Sequence, residues 1–65
     1  MGEILEQIID ILYQVPNMSR DTMGSIINPI ETMEQAQKML NYLQENKANL
    51  KTGYLVKHKK EIIGS

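Results

Sequence analysis

The chain has 65 residues, 42 % of them apolar, a formal net charge of −1, no cysteine and a single histidine, His58. A chain this short forms one domain at most and buries only about 60 % of the surface its unfolded form exposes, so it sits near the stability limit. Disulfides are excluded, and so is a zinc site of the usual thiolate and imidazole kind, which leaves self-association as the available stabilising device.

No run approaches the ~20 apolar residues of a membrane span, and no basic region precedes an apolar core at the N-terminus. Met1-Gly2 suggests myristoylation, but Glu6 stands where Ser or Thr is expected. These features predict a soluble cytoplasmic protein with no membrane partner and no cofactor.

The first element is "GEILEQIIDILYQV", Gly2 to Val15. At ~100° per residue, Ile4, Leu5, Ile8, Ile9, Ile11, Leu12, Tyr13 and Val15 cover an arc of ~200°. Glu3, Glu6, Gln7, Asp10 and Gln14 fill the remaining sector. The pattern is helical, and the apolar arc is about twice the ~100° stripe that a surface helix usually hides. Pro16 ends it.

Pro16-Asn17 then reads as a turn. Ser19 caps a short helix carrying Met23, Ile26, Ile27 and Ile30 at helical spacing, and Asn28-Pro29 breaks it. The next start has two candidates: Asn28 as cap with Pro29 following, or Thr32 as cap with Gln35 closing a capping box. Either way Met33, Ala36, Met39, Leu40 and Leu43 form one apolar face, with Glu34 and Lys38 paired on the outside, and the helix runs to about Glu45. Asn46 to Asn49 reads as a turn, although Leu50 continues the same face and a helix running to Lys51 is an alternative.

The last segment, "TGYLVKHKKEIIG", reads as a helix that starts with Thr52 as cap, carries Tyr54, Leu55, His58 and Ile62 on one side, and ends at Gly64. The alternative is a β-hairpin over 54–63 that pairs "YLV" with "EII", but no Gly or Asn supplies a tight turn between them. Gly64-Ser65 is either a native helix stop or an appended pair. The expected fold is all-α: a small bundle of three main helices plus a short connecting helix, with an α+β chain as the alternative.

Candidate chemistry is sparse. Glu3, Glu6 and Asp10 share a helical face but belong to its solvated sector, with no loop of oxygens for a cation, so no metal site is expected. His58 falls between Tyr54 and Ile62 in the helix reading and reads as a half-buried packing histidine rather than a general base, Ser19, Thr22 and Ser25 lie on no strained elbow, and Gly24 and Gly53 stand alone. No enzyme is predicted. The five methionines read first as core filler, and second as an adaptable partner groove.

Charge is segregated. Through Asn46, Glu3, Glu6, Asp10, Asp21, Glu31, Glu34 and Glu45 face only Arg20 and Lys38. From Lys47 onward, Lys47, Lys51, Lys57, Lys59 and Lys60 face only Glu61, so the front carries −5 and the tail +4. Lysines near a helix C-terminus need no partner to be favourable. The functional alternatives are pairing of front with tail between subunits, or an anionic ligand on Lys51, Lys57, Lys59 and Lys60. Nucleic acid is not favoured, because arginines and outward stacking aromatics are missing and Tyr54 is expected to point inward.

The leading functional expectation is a non-enzymatic protein–protein interaction module: a homo-oligomer, most simply a homodimer, that engages a further protein as a small regulator or inhibitor. Ile4, Ile8, Ile11 and Val15, at 4, 3, 4 spacing, are the expected interface. Leu5, Ile9 and Leu12 are expected in the chain's own core.

Overall fold

The computed structural model describes residues 2–64; the readings of Met1 and Ser65 lie outside it. It is all-α. The order is α1 (Gly2–Tyr13), α2 (Arg20–Ile27), α3 (Met33–Glu45), a 3₁₀ turn (Lys47–Asn49) and α4 (Thr52–Ile62). The hairpin alternative over 54–63 is overturned: α4 is one helix through that range. With no turn residue between its apolar runs, the segment keeps its backbone bonds local.

Local signals set most boundaries. The Ser19 hydroxyl accepts from the Thr22 amide at 3.1 Å, so Ser19 caps α2. Thr32 rather than Asn28 caps α3. Its hydroxyl accepts from the Gln35 amide, and the Gln35 side chain returns to the Thr32 amide, both at 3.1 Å. Glu34 and Lys38 pair at 3.5 Å outside. α1 stops two residues short of Val15: Gln14 and Val15 bond back three residues, to Ile11 and Leu12. Pro16 bars α geometry at Val15, so the last turn tightens. Asn17, at φ 64°, then reverses the chain, a conformation Asn tolerates better than most side chains.

The start of α4 differs from expectation. Lys51 occupies the extended cap position and makes no side-chain cap bond, while Thr52 is already helical. The Thr52 hydroxyl donates instead to the Pro16 carbonyl at 2.7 Å. A tertiary bond has displaced the local one.

The helices pack in pairs, α1 against α3 and α2 against α4, with α3 also touching α4. Ile8, Ile11, Leu12, Val15, Met23, Ile26, Ala36, Met39, Leu40, Leu43, Leu55 and Ile63 make one core. Among the described residues no polar or charged side chain is buried. The radius of gyration is 10.3 Å, against about 10.7 Å expected for a closed domain of this length. The chain therefore closes over most of its own apolar surface.

That closure overturns the expected interface. Ile8, Ile11 and Val15 are buried in the chain's own core, and Ile4, in the first turn of α1, is half-buried. Ile8, Ile11, Leu12 and Val15 span an arc of only ~100°, the ordinary width for a surface helix. α2 contributes Met23 and Ile26, and Ile63 beyond α4 closes the floor. A 4, 3, 4 spacing marks a seam between helices, whether the second helix belongs to the same chain or another.

Candidate interaction surface

The remaining part of the α1 arc is less deeply covered. Leu5 and Ile9, expected in the core, pack against it and are half-buried, and Tyr13 is 65 % exposed. Spaced four residues apart, these three form a row that continues the buried stripe for another ~100° to one side. The less covered flank of the helix is thus the one opposite the flank anticipated as an interface. Tyr13 was the available signal: it is the one residue of the arc with a polar tip, and such residues settle at wet margins.

Glu6, Asp10 and Glu3 come next around the helix, all exposed. None of them is in an ion pair among the described residues. The outer side of α1 is thus an apolar row bordered by an unpaired acidic row. Met33, expected on the inner face of α3, is 58 % exposed at that helix's first turn, where no neighbouring element covers it.

The lysine set expected to hold an anion does not converge. Lys59 lies on the inner side of α4, half-buried, and donates to the Ser25 hydroxyl at 2.7 Å. Lys57 lies ~160° around the helix from it, and Lys51 is at the other end of α4. Lys57 and Lys60 share the outer face, ~60° apart. What looked in sequence like one basic cluster is divided between the inner side of α4, its outer face and its N-terminal end.

Tyr54 corrects a second expectation, because it points outward and is 49 % exposed. Its ring lies nearly parallel to that of Tyr42 (6.3 Å between centroids, 7° between planes) and 4.3 Å from the ring of His58. His58 is half-buried as expected of a packing histidine, and its Nδ1 lies 3.2 Å from a Glu61 carboxylate oxygen. Partial burial, and then the neighbouring Tyr54 hydroxyl, hold the Tyr42 pKa above its ordinary value. No three His, Cys, Asp or Glu side chains gather as a metal site among the described residues.

Two clefts open between the end of α1 and the start of α4. One, of about 270 Å³, is walled by Ile11, Gln14, Val15, Pro16, Lys47, Ala48 and Leu50. The other, of about 420 Å³, is walled by Pro16, Asn17, Leu50, Lys51, Thr52 and Gly53. They share Pro16 and Leu50 and so adjoin as one groove, whose lining mixes apolar side chains with Lys47 and Lys51. Neither lysine is in an ion pair among the described residues. Sequence reasoning missed this groove, which joins residues far apart in the chain; the continuing apolar register of Leu50 was its only local trace.

No helix among the described residues is long and apolar enough to cross a membrane. Compared with protein-family models, curated proteins and solved structures, the chain matches none.

Proposed function

We propose that this chain is a non-enzymatic protein–protein interaction module that self-associates through the outer edge of α1. The observation that carries the reading is the row Leu5, Ile9 and Tyr13, in which Leu5 and Ile9 are partly covered by the core and Tyr13 is 65 % exposed. Rows of this kind, rimmed by charge, mark association surfaces on stable proteins.

Three side chains make a small contact, below the roughly 1,200–2,000 Å² buried by a stable interface. The association is accordingly of the reversible kind, with a dissociation constant in the micromolar range or weaker. Sedimentation equilibrium over a concentration series tests it. The wild type should gain mass as concentration rises, and Ile9→Glu should stay monomeric with an unchanged far-ultraviolet spectrum. A wild type that remains monomeric up to millimolar concentration refutes the proposal.

A further inference from the structure

We infer that the surface receiving the α1 edge is the lysine-lined groove of a second copy, so that subunits meet edge to groove rather than edge to edge. The inference rests on the self-association just proposed and names its partner surface. Charge complementarity carries it. α1, GEILEQIIDILY, holds three acids and no base. Two α1 edges brought together would therefore set acidic rows from both copies beside one contact, with no cation from either helix to answer them. Like charges so placed disfavour the contact.

The groove offers what the edge lacks. Ile11, Val15, Pro16, Ala48 and Leu50 give its lining apolar side chains, and Lys47 and Lys51 line it as well. Neither these lysines nor Glu3, Glu6 and Asp10 are in an ion pair within the described chain. An amphipathic helix laid in such a groove buries its apolar row and brings its flanking charges to the rim. The occupant is thus α1 of another copy, with Leu5, Ile9 and Tyr13 in the groove and Glu6 and Asp10 reaching Lys47 and Lys51. Edge and groove are different surfaces of one chain. Reciprocal insertion makes a two-fold dimer, and one-way insertion makes a ring or a string.

Two paired reversals and their mixture test the contact by sedimentation. Lys47→Glu with Lys51→Glu should weaken self-association about five- to thirty-fold, and so should Glu6→Lys with Asp10→Lys. Mixing the two variants should restore association, because each then meets a groove of opposite charge; that recovery also shows both are folded. Retained association in both reversals, alongside loss in Ile9→Glu, would overturn the groove while keeping the edge, and so would weakening by both pairs without recovery in the mixture. A monomeric wild type would overturn both readings.

Discussion

The Thr52 hydroxyl donates a 2.7 Å hydrogen bond to the Pro16 carbonyl, joining residues 36 apart in the chain. It ties the start of α4 to the turn that ends α1, the two walls of the groove. Thr52→Val keeps the shape of the side chain and removes the donor. The bond is exposed, so the loss should be about 0.5–1.5 kcal/mol, and Thr52→Ser should recover most of it. In a domain of this size a loss of 1 kcal/mol lowers Tm by roughly 4–8 °C, a shift that thermal melts by circular dichroism will show.

Leu12 and Ile9 separate the two halves of the α1 arc. Leu12 is fully buried, so Leu12→Ala should cost about 2–5 kcal/mol, enough to unfold much of a domain that holds only about 3–5 kcal/mol. Ile9 is half-buried, and Ile9→Ala should cost about 1 kcal/mol or less. Urea denaturation of both variants checks the ranking, and equal losses would mean that the arc is buried on both flanks.

Gly64 ends α4 at φ 77°, with its amide bonded to the Glu61 carbonyl at 3.2 Å, as in a left-handed helix stop. A Cβ there would also stand 2.7 Å from the Lys38 Nζ, the flexible end of a side chain that can move aside. Gly64→Ala should therefore lose about 1–2 kcal/mol, mainly from the backbone conformation. Adding Lys38→Ala should leave most of that loss in place. Chemical denaturation of the single and double variants separates the two causes.

Tyr42 supplies a pH signature. Its folded-state pKa is raised above the ordinary value of 10.0, so the folded chain holds that proton more tightly than the unfolded one. The resulting stability is fully present below the unfolded pKa and is lost as pH climbs through the folded one. Stability measured by urea titration should fall above pH ~10. Tyr42→Phe should flatten that alkaline limb relative to the wild type and leave the neutral range without a new pH dependence.

The all-α fold was legible because its signals are local. Ser19, Thr32 with Gln35, Pro16 and Gly64 each act within a turn of their own position, and the structure uses every one. Facing was legible only in part. Helical spacing shows that the apolar residues of α1 share a side, but which flank turns inward depends on where α3 comes to rest against it, and Ile8, expected at an interface, lies in the core. Lys59 is the sharpest case. Its charge placed it with the outer lysines in sequence, while its register on α4 directs it toward α2, where the Ser25 hydroxyl accepts its hydrogen bond. The groove was not legible, because Pro16 and Leu50 become neighbours only after the chain has folded.

The placement of the three tyrosines decides how this protein can be observed. There is no tryptophan or phenylalanine, Tyr13 and Tyr54 stand largely in solvent, and Tyr42 is only partly covered. The interior is built from aliphatic and thioether side chains alone, so its packing has no chromophore of its own. Near-ultraviolet dichroism and tyrosine emission will report on the rind of the molecule, and methyl resonances will report on its interior. For the edge of α1 this is an advantage. Tyr13 is a native optical probe on the surface proposed to meet a second copy, and its emission can follow that encounter without a label.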